Sequence, residues 1–145
     1  MYVVSGVTSG IGTTARPSVS VMAPAGNGFR IRELAAFNTT ATSCVYKWAR
    51  VTAAGTPGAD LTEVEWDEAG VAATATGKDA HSADATIGAT LEYMPIGAAI
   101  GAGYYYTYYD GGGITIAAGT GNGIGLVLVT GTGQLLSYKI AWEEA

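Results

Sequence analysis

The chain has 145 residues, of which 48% are hydrophobic and only 13% charged. That length fits one compact domain with a real core, and the charged fraction is about half of the ~25% typical of soluble domains. Twelve acidic against seven basic residues give a net charge of −5 with no basic patch to neutralise phosphates, so nucleic acid is not an expected partner.

A chain with so few charges covers its surface poorly unless neighbouring subunits cover part of it, which is a first pointer to an assembly protein. The single cysteine, Cys44, offers no internal disulfide and no metal framework; its apolar neighbours mark it as a small buried hydrophobe. No run reaches the ~18 apolar residues of a membrane helix, so no membrane partner is expected. The first positive charge is Arg16, so no basic leader region is expected and the protein is read as made in the cytoplasm.

At the N-terminus, Tyr2-Val3-Val4 precedes Ser5-Gly6-Val7-Thr8-Ser9-Gly10-Ile11-Gly12, which looks like the glycine-rich turn of short-chain dehydrogenases. A helix starting near Ile11 would have to contain Pro17, and Gly26 and Gly28 follow soon after. No Tyr-x-x-x-Lys pair exists in the chain, so the segment reads as a glycine-rich β-arm. The first 28 residues, rich in Ser, Thr, Gly and Pro, are accordingly expected to form an extended arm or edge strands.

Between 45 and 51 the alternation predicts a strand, with Tyr46, Trp48 and Arg50 on one face and Val45, Lys47, Ala49 and Val51 on the other. Thr56-Pro57-Gly58 predicts a hairpin turn. Thr62-x-x-Glu65 is the best capping box, but Val64 and Trp66 alternate with Glu63 and Glu65, and Gly70 would soon break a helix begun there, so a strand is preferred. Glu63, Glu65, Asp67 and Glu68 form the densest acidic cluster. It reads as a solvated strand face rather than paired carboxylates or a Ca²⁺ site.

Gly77-Lys78 fails as a phosphate loop, because no glycine stands five positions earlier and Asp79 replaces the needed Ser or Thr; a solvated loop is expected. His81, the only histidine, has Asp79, Ser82 and Asp84 close by. Four neighbours in one loop do not line up as nucleophile, base and orienting acid, so a surface loop is expected and the chain is not expected to be an enzyme.

The most unusual segment is Tyr104-Tyr105-Tyr106-Thr107-Tyr108-Tyr109. On a strand, Tyr104, Tyr106 and Tyr108 share one face and Tyr105 and Tyr109 the other. Tyrosine suits half-buried surfaces, so these five are the candidate interface residues. Three readings stay open: core packing on one face with a subunit contact on the other, packing of both faces within the chain, and a sugar-stacking platform at Tyr105 and Tyr109.

Asp110-Gly111-Gly112-Gly113 predicts a second hairpin, and Gly131-Thr132-Gly133 joins the last two strands. Ile124 to Val129 is apolar on both faces apart from Gly125, and so is expected to be covered on both sides, by a second sheet and by a neighbouring subunit. Leu136, Tyr138, Ile140 and Trp142 face one way while Ser137, Lys139 and Glu143 face the other, the clearest strand of all.

Several segments, taken together in their order along the chain, carry a resemblance. Ile31-Arg32-Glu33-Leu34 and Phe37-Asn38-Thr39-Thr40-Ala41-Thr42 lead to a strand ending near Arg50-Val51-Thr52, then to the turn Gly55 to Ala59 and to Leu61-Thr62-Glu63. Gly97 to Gly103, Gly119 to Gly125, Gly131 to Gln134 and Trp142-Glu143-Glu144 come after them in order. Together, from Ile31 to Glu144, they resemble a pattern of phage virion structural proteins. The resemblance implies a β-sandwich that decorates or cements the head shell, commonly as a trimer, and brings no catalytic residues or cofactor. The tyrosine strand and the short acidic tail depart from the pattern.

About nine or ten short strands separated by turns predict an all-β chain. A single β-sandwich or jelly-roll-like domain is expected over 29–145, with the arm or edge strands over 1–28. The expected role is capsid decoration, with the major capsid protein and further copies of the chain as partners and the virion surface as location. The alternative is a tail- or fibre-associated module that binds host glycans.

Overall fold

Eleven strands and no helix occur among residues 1–67 and 70–144, the part of the chain that the computed structural model describes. In chain order, β1 is Tyr2–Val7, β2 Val19–Met22, β3 Phe29–Asn38 and β4 Cys44–Ala53. Next come β5 (Val64–Glu65), β6 (Thr76–Lys78), β7 (Thr86–Ile96) and β8 (Gly103–Thr107). The last are β9 (Ile114–Ile116), β10 (Gly123–Thr130) and β11 (Leu136–Glu144).

They form two antiparallel sheets. The first runs β5-β1-β11-β3-β8, with β9 paired to the other end of β3; the second runs β6-β2-β10-β4-β7. Without the short β5, β6 and β9, four strands remain per sheet and most connections cross between sheets. That is the two-Greek-key order of a jelly roll, so the expected β-sandwich is what the chain folds into.

Alternation decides which side chains fill the space between the sheets. From β11, Leu136, Tyr138, Ile140 and Trp142 point inward and are buried; from β4, Tyr46 and Trp48 do the same, joined by Leu34, Leu126 and Met94. Trp142 lies between Tyr2 and Phe29, with ring centroids 6.0 and 6.1 Å away. The Tyr46 hydroxyl reaches the carbonyls of Ile11 (2.6 Å) and Gln134 (3.0 Å), tying the N-terminal segment to the β10–β11 crossing. Burial pushes this phenol up to about 12.

The first 28 residues do not extend away from the sandwich. β1 pairs with β11 over its whole length and β2 with β10, each lying one short strand from a sheet edge. The second cover over Gly123 to Leu128 comes from the chain itself. Pro17 lies so close to Gly125 that a Cβ there would sit 2.9 Å from it, and Met22, Val51 and Ala85 form a small cluster on the same outer face.

Gly131-Thr132-Gly133 joins the last two strands as expected, but the other two turns connect differently from what their composition suggests. Thr56-Pro57-Gly58 closes no hairpin between neighbouring strands, since Thr56 bridges Ala83 and the chain runs on to β5 in the other sheet. Asp110 to Gly113 interrupts a single edge: β8 pairs with Glu33–Phe37 and β9 with Phe29–Ile31 of the same β3. Gly131, at φ 78°, carries the chain from the second sheet to the first. A turn tripeptide encodes a local reversal, not the sheet that the next strand joins.

Ile140 is fully buried at the centre of β11. Ile140→Ala is expected to cost about 2–5 kcal/mol, read as a lower denaturation midpoint at unchanged slope.

Candidate functional site

The tyrosine strand divides as its alternation predicts. Tyr104, Tyr106 and Tyr108 are half-buried and pack against the core at the side of the sandwich where β7 and β8 lie opposite each other. Tyr104 and Tyr106 stack with ring centroids 6.1 Å apart. The Tyr104 hydroxyl donates to the Pro95 carbonyl (3.1 Å) and that of Tyr108 to Glu92 Oε1 (2.8 Å), so the two edge strands are laced together by phenols. Burial raises the Tyr108 pKa, and its bond to the Glu92 carboxylate raises it further; Tyr106 is raised by burial, then by Glu92.

Tyr105 and Tyr109 face solvent, 50% and 82% exposed. Tyr105 lies on the outer face of the first sheet, its hydroxyl donating to Glu33 Oε2 (2.7 Å) and accepting from Lys139 Nζ (3.2 Å). Lys139 also forms an ion pair with Glu33 and lies over the Trp66 ring, 5.4 Å from its centroid. These bonds hold Glu33 below the usual carboxylate range, against a desolvation that opposes the shift, and the bond to Glu33 raises Lys139. Trp66, which the sequence pattern does not single out as a site residue, thus shares a cluster with Tyr105. Val64 and Trp66 do alternate with Glu63 and Glu65, but β5 is a two-residue edge strand, and Val64 within it and Trp66 just beyond it are both exposed.

The acidic cluster does not converge. Glu63 turns to accept from the Gly77 amide (2.7 Å), Asp67 is exposed, and Glu68 lies outside the described residues. Among the described residues no group of three His, Cys, Asp or Glu side chains comes together. Gly77 and Lys78 are not in a loop but in β6, paired with β2.

His81 departs most from expectation. It is buried rather than on a surface loop, with Nε2 2.7 Å from Ser20 Oγ and Nδ1 3.0 Å from the Ala54 carbonyl. A carbonyl fixes the proton on Nδ1, and Nε2 accepts from the serine. Ser20 is itself buried, and no acid among the described residues hydrogen-bonds the imidazole: Asp79 takes Ser9 (2.6 Å) and Asp84 takes Arg16 (2.8 Å). The arrangement is a staple holding the 79–85 segment on β2. Only pairing across the fold reveals it.

No family of known proteins, no curated protein and no solved structure matches this chain.

Burial depresses the His81 pKa, followed in effect by the Ala54 bond, which raises it, and by nearby Lys78, which lowers it. A depressed folded value means that stability is complete above the unfolded value of about 6.5 and declines as pH falls below it. Melting temperature is expected to drop between neutral pH and about pH 5, and to drop less in His81→Gln, which is less stable at neutral pH.

Proposed function

We propose that the chain is a phage capsid decoration protein, a non-enzymatic cement that binds the outer head shell and bridges capsomers as a homo-oligomer, in the trimeric form common to the proteins it resembles. One observation carries this reading. From Tyr93 to Tyr138 the sequence contains a single charged residue, Asp110, and that charge is paired with Arg32 at 2.6 Å. This stretch builds the buried inner strand β10 and the start of β11, where burial itself excludes charge. It also builds the end of β7, all of β8 and β9, and the loops between them, which lie at the surface.

Free sheet edges are normally guarded by charged side chains. Here the edge instead exposes Tyr93 (56%), Ile100 (77%) and Tyr109 (82%) among Ala, Gly and Thr. Strand addition is blocked by other means: Pro95 and three register shifts in the β4–β7 pairing, and the break between β8 and β9. Such an edge suits contact through side chains with one defined partner. Interface cores are depleted in charge and rich in Tyr. Apolar area removed from water contributes about 25 cal/mol per Å² before association costs are deducted.

The ordered motifs from Ile31 to Glu144 supply the capsid part of the reading, and the major capsid protein is the expected partner. The test is the mass of the pure protein by light scattering, followed by co-sedimentation with empty capsids of its phage. Binding is expected, and Ile100→Ser with Tyr109→Ser is expected to weaken it about tenfold or more at nearly unchanged melting temperature. A monomer that stays in the supernatant overturns the proposal.

A further inference from the structure

The outer faces of the two sheets are finished differently. On the second sheet the chain lays its own segments over β2 and β10, through His81, Pro17 and Ala85. On the first sheet the equivalent face is open, and its centre carries Lys139 and Glu33 rather than apolar side chains. Register places Ala35 between Lys139 and Tyr105, and Ala141 opposite Glu33; both alanines are buried, so the floor is low. Tyr105 from β8 and Trp66 from beyond β5, at opposite edges of the sheet, reach inward to the same ammonium. Their ring centroids lie 5.6 and 5.4 Å from Lys139 Nζ, and about half of each residue stays exposed (50% and 51%).

From this geometry we infer that the Trp66–Lys139–Glu33–Tyr105 cluster is a binding site for a neutral glycan. The polar groups are already arranged. Glu33 Oε2 takes both the Tyr105 hydroxyl and Lys139, while Oε1 takes no hydrogen bond among the described residues. Lys139 gives two of its three N–H groups, to Glu33 and Tyr105. Among the described residues, Glu33 Oε1 and the third N–H of Lys139 therefore stand side by side without a hydrogen-bond partner. Two adjacent hydroxyls on a pyranose match that pair, one donating and one accepting, and the apolar C–H face of the sugar stacks on an exposed ring.

Charge and desolvation select among occupants. The ion pair is internally neutral, so an anionic sugar gains no net attraction. A protein partner would have to bury the pair in a dry interface, where losing water costs more than mutual attraction returns. Sugar hydroxyls replace that water. The rings are pre-set by Glu33 and by Lys139, so little side-chain entropy remains to be lost.

Trp66 reports on the site directly, because Trp48 and Trp142 are fully buried and only Trp66 can be quenched from solution. The probes are cellohexaose and chitohexaose, with polygalacturonate as the anionic control. A neutral oligosaccharide is expected to shift the emission to the blue and protect Trp66 from acrylamide, with a dissociation constant in the micromolar to millimolar range. Glu33→Gln and Tyr105→Ala, checked for folding by melting temperature, are expected to weaken binding about tenfold or more. Absence of protection by both neutral probes overturns the inference, as does preferential binding of polygalacturonate or undiminished binding by Glu33→Gln. Capsid co-sedimentation of Trp66→Ala is expected to match wild type, so failure of the glycan site and failure of the capsid reading give different results.

Discussion

Each sheet is completed by a strand from the far end of the chain. β10 fits between β2 and β4, and β11 between β1 and β3, so the last two strands become the inner strands of sheets begun by the first four. If Tyr2–Val7 extended to a neighbour, the edge of β11 from Ser137 to Trp142 would lose its ladder, and its backbone groups would be left unpaired over a buried core. That demand keeps the N-terminal residues inside the domain. It also makes the topology one of long-range contacts, which close late and slowly.

Where period and burial sufficed, the sequence could be read directly. The alternation in β11 and β4, the division of the tyrosines and the two-sided burial of the Ile124–Val129 run, which holds as far as Leu128 and leaves Val129 partly exposed, all follow from a repeat of two residues and a covered face. Features that depend on partners far along the chain could not be read. His81 looks exposed among polar neighbours, yet Ser20 and Ala54 enclose it from 61 and 27 positions away. Three glycine-rich or Pro-Gly turns were legible as reversals, but their destinations depend on which sheet has a vacant edge. Trp66 lies beside a two-residue edge strand, and its alternation with Glu65 carries no sign of which side has a covering layer.

Charge is divided along the chain as well. Apart from Asp110, no charged residue falls between Tyr93 and Tyr138, so the remaining ones lie before Tyr93 or after Tyr138. There they are organised locally: Glu33 with Lys139, Arg16 with Asp84, and Glu144 with the amides of Thr74 and Ala75. Exposed pairs of this kind add little stability individually. Their consequence is segregation, which leaves one polar, pre-ordered face beside one nearly uncharged edge.

The tyrosine strand joins these two surfaces mechanically. Tyr104, Tyr106 and Tyr108 are held inward by stacking and by bonds to Pro95 and Glu92, which fixes the strand between β3 and the opposing β7. With the inward residues locked, the outward Tyr105 has no freedom to turn away, and Glu33 and Lys139 then set the direction of its hydroxyl. An edge strand that would otherwise fray is thus rigid where it presents its aromatic ring. A partner or ligand meeting that ring loses little conformational entropy in ordering it, and this separates a pre-organised binding surface from an exposed hydrophobic residue of no consequence.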